Sequence, residues 1–243
     1  LAFDQAGNLK YSWGGIGTET GDYKWPSSNH GITVDHMDNV WVGGNGPGDS
    51  HVLKFTKDGK FLAQYGKADA RKTGEKDGQP VYTRNSNSPD SFGRVAKIGI
   101  DPGANEVYLA DGYFNRRIAV LDVNTGAMKR YWGAYGNKPD DSVDLGRYVP
   151  DEKPAAQFRG PVHCSEISKD GFVYVCDRAA DRIQIFQKDG KFVSEHIIAS
   201  KTLSQGSTWD IDFSHDPAQR FIYLADGQNM KVYIIERKTM KVL

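Results

Sequence analysis

What this chain lacks narrows the field before any motif is read. Two cysteines in 243 residues, Cys164 and Cys176, are too few for a disulfide framework and do not have zinc-ribbon spacing. No charge of one sign prevails: Lys+Arg 31 and Asp+Glu 31 cancel to a formal charge of zero. The balance therefore gives no ground for a nucleic-acid or anionic-membrane partner. RNA binding would also need a basic, aromatic-studded face that the composition does not offer. No apolar run approaches the roughly 18 residues of a membrane span. The opening residues Leu1–Leu9 have neither the charged flank nor the long apolar stretch of a signal peptide. The expectation is no nucleic acid and no membrane span, with length alone allowing one large all-β domain or two smaller ones.

What is present is repetition. Four segments align: HGITVDHMDNVWVGG from His30, AKIGIDPGANEVYLADG from Ala96, HCSEISKDGFVYVCDR from His163 and WDIDFSHDPAQRFIYLADG from Trp209. Each reads as strand, turn, strand. The turns (DHMDN, DPGANE, SKDG, SHDPAQR) are rich in residues that tolerate or pre-set turn dihedrals, and the flanks alternate β-branched and aromatic residues. A second hairpin follows each: HVLKFTKDGKFLAQYG, RRIAVLDVNTGAMKRYWG, DRIQIFQKDGKFVSEHI and KVYIIERKTMKVL. Four strands per unit make the blade of a β-propeller.

The expected organisation is a single all-β propeller domain over 1–243, with blades at about 29–67, 95–134, 162–198 and 208–243 and a half-blade at 1–15. The half-blade LAFDQAGNLKYSWGG matches the second hairpin alone, with Leu1 at the place of Leu53 and Trp13 near that of Tyr65. Four blades and a half leave the ring open, and open rings expose strand edges that closed propellers avoid. The expectation is that further sequence completes the ring. Two polar insertions, about 68–95 and 135–161, separate blades. They read as ordered loops and, by their position before inner strands, as candidate walls of a central site.

The first residue of each inner hairpin is the informative column: His30, Ala96, His163, Trp209. Alternate blades carry histidine, and equivalent positions in alternate blades face one another across a propeller channel. Two imidazoles so placed are part of a metal site, which a third from the next alternate blade, beyond Leu243, would complete. The competing reading is a pair of hydrogen-bonded structural histidines. His36, His51, His196 and His215 fall in turns or outer strands and read as surface residues.

The motifs HGITVDHMDNVWV, ADGYFNRRI and HCSEISKDGFVYVCDRAADRIQIF resemble three consecutive blades of peptidyl-α-hydroxyglycine α-amidating lyase, the second catalytic half of the peptide-amidating enzymes. The chain is also similar to bacterial NHL-repeat propellers. The resemblance covers nearly the whole chain and implies a six-bladed NHL-type propeller when complete. It implies zinc held by His30, His163 and a third histidine outside the chain, a catalytic tyrosine at Tyr113, and a substrate-contacting arginine at Arg178. It further implies a structural calcium held partly by the backbone carbonyl of Ile32. The activity implied is zinc-dependent carbon–nitrogen lysis, breaking a carbinolamide into a primary amide and glyoxylate.

Bland readings stand beside these. Tyr113 as a packed strand cap and Arg178 paired with Asp177 or Asp181 would both be structural. Asn115 and Arg116 or Arg117 read as structural, because DG-x-x-N-x-R recurs approximately as DGQNMK and DRAADR. The competing class of function is a non-catalytic propeller that binds a peptide, protein or glycan on its loop face. In either class the ligand is a small molecule or peptide in the central channel, or a protein partner. Cys164 and Cys176 form a cross-strand disulfide if the SKDG turn places them opposite one another. A register shift of one residue points them to opposite faces. A disulfide would indicate an oxidising compartment, periplasmic or secreted.

Overall fold

A computed structural model describes residues 1–243, and the chain is almost entirely strand and turn. After a short hairpin, β1 (Ala2–Phe3) and β2 (Leu9–Tyr11), come four antiparallel four-stranded sheets, each ordered consecutively. Blade A is β3 (Asn29–Val34), β4 (Asn39–Gly44), β5 (His51–Thr56) and β6 (Phe61–Gly66). Blade B is β9 (Val95–Asp101), β10 (Glu106–Asp111), β11 (Arg117–Asp122) and β12 (Met128–Trp132). Blade C is β13 (Val162–Ile167), β14 (Phe172–Asp177), β15 (Arg182–Gln187) and β16 (Phe192–Ile197). Blade D is β17 (Asp210–Phe213), β18 (Phe221–Asp226), β19 (Lys231–Glu236) and β20 (Lys241–Val242). This is the architecture of a β-propeller. No helix is long and apolar enough to cross a membrane.

The inner hairpins close the same way for the same reason. Asp35, Asp101, Ser168 and Ser214 each stand five residues after the column position and turn a side-chain oxygen back onto the turn. Asp35 accepts from the N–H of Met37 and Asn39, and Asp101 from Gly103. Ser168 accepts from Phe172 and Ser214 from Phe221. Such local bonds favour turns over continued strand.

Blades lock together through aromatic side chains of outer strands laid on glycines of the following blade. Trp13 covers Gly59, Tyr65 covers Gly126 and Trp132 covers Gly190; at each a Cβ would collide with the ring, and each glycine has φ between +69 and +93°. Glycine is therefore required twice over at these turns. Trp13 occupies the role of Tyr65, so the opening hairpin stands to blade A as blade A stands to blade B. The central strands of blades A, B and C are largely buried, with Trp41 at 0 % exposure stacked on Tyr65 at 5.4 Å. Such pairs contribute about 0.5–1.5 kcal/mol beyond area burial.

Two features differ from expectation, and one alternative left open is decided. The first insertion is not loop alone: β7 (Lys72–Lys76) and β8 (Gln79–Tyr82) form a separate exposed ribbon around the left-handed pair Asp77–Gly78. His51 is not a surface residue but 1 % exposed, with Nε2 2.6 Å from the Lys24 carbonyl; this residue, opening the third strand, is covered by the segment leading into its blade. Finally, register pairs Cys164 with Cys176, and the two form a disulfide with a Cα–Cα distance of 4.9 Å.

Candidate active site at the start of the inner strands

The site is placed by a repeated aspartate at or just beyond the end of each second strand. Asp49 accepts from the backbone N–H of Ser27 and Ser28, Asp111 from Gly93, and Asp177 from Arg159 and Gly160. Each carboxylate ties down the segment that delivers the next column residue: His30, Ala96 and His163 respectively. Bonds from a carboxylate to backbone N–H are strong and directional. The column thus begins at the same height in successive blades.

His30 and His163 meet. Their ring centroids are 5.2 Å apart at an interplanar angle of 88°. Each Nδ1 faces a carbonyl of the following blade, Ala96 O at 2.7 Å for His30 and Trp209 O at 2.5 Å for His163. A carbonyl can only accept, so each Nδ1 carries the proton and each Nε2 presents a lone pair. Both Nε2 atoms lie 3.0 Å from the hydroxyl of Tyr113. Burial, aided by the Arg178 guanidinium, pushes His163 down to about 3, which keeps it neutral near pH 7.

Tyr113 comes from the turn after β10. Its N–H donates to the Arg94 carbonyl at 3.2 Å, and the neighbouring Gly112 lies so close to Val162 that a side chain there has no room. Arg178 follows β14. Its Nη1 donates to Tyr113 Oη at 3.2 Å, its Nη2 to Gln205 Oε1 at 2.5 Å, and its guanidinium stacks 4.7 Å above the Trp209 ring. It pairs with neither Asp177 nor Asp181; Asp177 is taken by Arg182 at 2.8 Å. The four residues singled out in the sequence therefore converge on one oxygen. Ile32 does not: it lies on β3 with 70 % of its surface exposed.

Asn115 and Arg117 are structural, both bound to Asp111. Farther along the inner strands, Lys97 bridges Glu166 at 2.7 Å and Asp210 at 2.8 Å. Burial opposes the charge on Lys97, but the two carboxylates outweigh it and raise its pKa; burial raises Glu166 as well. Sequence reading passed over Gln205, Trp209 as a cation platform, and this three-residue bridge. Lys97, Glu166 and Asp210 stand one or three places past the column, and their charged identities on inner strands were the available signal.

Two imidazoles held by one ion, each centroid about 3.2 Å from it at the tetrahedral angle, stand about 5.2 Å apart. The observed separation is 5.2 Å. Each ligating ring would donate its other N–H to a carbonyl, the usual support for metal-bound histidine. One hydroxyl proton cannot serve two acceptors, so one of the two lone pairs is left open to another partner. The pair fits two ligand positions; a group of three His, Cys, Asp or Glu placed for a metal does not occur within the chain.

No family model matches the chain. It is 29 % identical over 167 residues to peptidyl-glycine alpha-amidating monooxygenase B of Xenopus laevis, covering 68 % of this chain and 16 % of the frog protein. Among solved structures it is similar to virginiamycin B lyase from Staphylococcus aureus, with TM-score 0.53, 15 % identity, and coverage of 89 % of this chain and 55 % of that one. A streptogramin B lyase structure gives 0.54, 16 %, 90 % and 54 %. A protein from Lactobacillus plantarum gives 0.54, 11 %, 88 % and 54 %. The chain thus spans about half the length of these structures and a sixth of the frog protein, and the structural likenesses show the fold. In fold the chain is a β-propeller, and in sequence it resembles part of a peptidyl-glycine alpha-amidating monooxygenase.

Proposed function

We propose that this propeller is a metal-dependent lyase that cleaves peptidyl-α-hydroxyglycine-type carbinolamides, R–CO–NH–CH(OH)–COO⁻, into the primary amide and glyoxylate. The observation that supports this most is the convergence of two histidine lone pairs and one guanidinium on the Tyr113 hydroxyl. A zinc ion on Nε2 of His30 and His163, with a third histidine from outside these residues, would supply Lewis acidity toward the substrate hydroxyl.

The residues have distinct tasks. Tyr113 Oη, acting as the phenolate, accepts the proton of the substrate hydroxyl as general base. As the C–O bond becomes the aldehyde carbonyl of glyoxylate, the C–N bond breaks, and the proton returns from Tyr113 to the leaving amide nitrogen. Atoms and charge balance without oxidant or reductant. Arg178 holds the substrate carboxylate, and its stacking on Trp209 with Gln205 on Nη2 fixes the direction of the remaining donors. The structural calcium implied partly at the Ile32 carbonyl enters no step of this reaction.

Glyoxylate release by the full-length protein, measured before and after chelation and zinc repletion, tests the proposal. Activity lost on chelation and restored by zinc is expected. Undiminished activity in zinc-free protein excludes the metal role, and absence of glyoxylate favours the alternative, a non-catalytic propeller holding a peptide, protein or glycan on its loop face. The disulfide is in keeping with a periplasmic or secreted location.

A further inference from the structure

Beside the Tyr113 centre lies a second cluster that the chemistry above does not use. Phe114, the next residue, is half-buried, and two guanidiniums lie against its ring: Arg94 at 4.7 Å and Arg84 at 6.0 Å from the ring centroid. Arg84 comes from the first insertion and donates through Nε to the Phe114 carbonyl. Arg94 has a left-handed backbone (φ +64°), held by its N–H to the Asp49 carbonyl at 3.1 Å and by its own carbonyl to Tyr113. A bulky residue in this conformation is uncommon and is kept only where the surroundings enforce it.

Charge balance distinguishes these arginines from others. Arg117, Arg130 and Arg182 each pair with a carboxylate. Arg84 and Arg94 form no ion pair, and the Nε of Arg94 is buried without a hydrogen-bond partner. Asp49 acts on Arg94 through space but forms no ion pair with it, its oxygens accepting instead from Ser27, Ser28 and Gly46. Two half-buried cations beside an aromatic face, neither held in a direct ion pair, offer an anion-binding surface. The Tyr113 N–H donates to the Arg94 carbonyl at 3.2 Å and the Phe114 N–H to the Gly93 carbonyl at 2.9 Å, so backbone hydrogen bonds join this surface to the turn that carries Tyr113.

We propose that Arg84, Arg94 and Phe114 form a specificity subsite for a carboxylate-bearing side chain on the residue that precedes the reacting glycine, so that the preferred acyl group ends in Glu or Asp. The assignment of the anion to an acyl side chain rests on the lyase reading; the anion subsite itself does not.

The probes are two product-like amides, acetyl-Glu-NH2 and its neutral isostere acetyl-Gln-NH2, titrated calorimetrically into the full-length protein at low salt. The acidic amide should bind about tenfold more tightly, as charge-assisted bonds to guanidinium require. Arg84→Gln with Arg94→Gln should abolish the preference, Arg94→Glu should transfer it to acetyl-Lys-NH2, and Arg147→Gln, at an exposed arginine outside the cluster, should retain it. Equal affinities, no binding of either amide at millimolar concentration, or a preference that survives the double substitution in folded protein each overturn the subsite. If the preference is seen without glyoxylate release, the subsite stands and only the lyase reading falls.

Discussion

Arg117 and Arg178 sit at the same end of neighbouring blades and do opposite things. Arg117 is fully buried, bonded to Asp111 at 2.7 Å and to the carbonyls of Ser86, Ser88 and Ser91. Arg182 repeats this in blade C, bonding Asp177, Glu195 and the carbonyls of Ala155 and Gln157. Each fastens one long insertion to its blade with a neutralised cation. Arg178, four residues before Arg182, has no carboxylate and spends its donors on Tyr113 and Gln205. A guanidinium with a buried counterion belongs to the scaffold, and one without remains available to a ligand. Blade D, which carries Lys231 at the corresponding place, has no comparable insertion to fasten, and Asp226 turns instead to Asn229.

The comparison breaks most visibly in activity. Replacing Arg178→Gln should lower glyoxylate release by about 10²-fold or more, because charge stabilisation and carboxylate orientation are lost together. The unfolding midpoint in denaturant should move little, since no buried counterion is left behind. A loss of stability as large as that of the Arg117 variant would erase the distinction.

Arg117→Met tests the other side. It strands the Asp111 carboxylate in the interior, and removing one partner of a buried pair costs about 3–5 kcal/mol. Urea unfolding should show this loss, and limited proteolysis should cut the 84–91 segment earlier than in the parent. Adding Asp111→Asn should recover part of it, because the stranded charge is then gone; a double variant no more stable than the single would mean that packing, not charge, holds the insertion.

Asp181 sharpens the comparison from the acid side. It stands between Arg178 and Arg182 yet pairs with neither; its Oδ2 is buried without a partner, and burial raises its pKa from 3.8 to about 6. A folded-state pKa above the unfolded one means stability that is fully present below pH 3.8 and is lost as pH rises through 6. Asp181→Asn removes that loss, and asparagine tolerates the left-handed backbone at this position (φ +54°). The variant should match the parent near pH 4 and exceed it by up to about 3 kcal/mol above pH 7. A gain independent of pH would point to the backbone rather than the charge.

The reading of the chain reached further than composition alone would suggest. Repetition made the blades visible, since strand periodicity and turn chemistry recur in each unit, and the column of His30, Ala96, His163 and Trp209 made the site visible. Arg178 against Asp177 was an open question because neighbours in sequence do not reveal which partner the Asp177 side chain reaches. His51 was misplaced because what covers it, the carbonyl of Lys24, lies in a connection with no repeat to compare. Arg84 and Phe114 escaped for the same reason: the 68–95 insertion occurs once, so no register relates it to the turn it touches.

The amino-acid sequence by itself determined the β-propeller architecture, the turns, and the placing of two histidines in alternate units, because these depend on local periodicity repeated four times. Only the tertiary structure decided that both imidazoles meet at the hydroxyl of Tyr113, that Cys164 and Cys176 share a rung, and which arginines are neutralised. Those outcomes turn on ångström-scale register and on contacts between segments far apart in the chain, which no local pattern encodes.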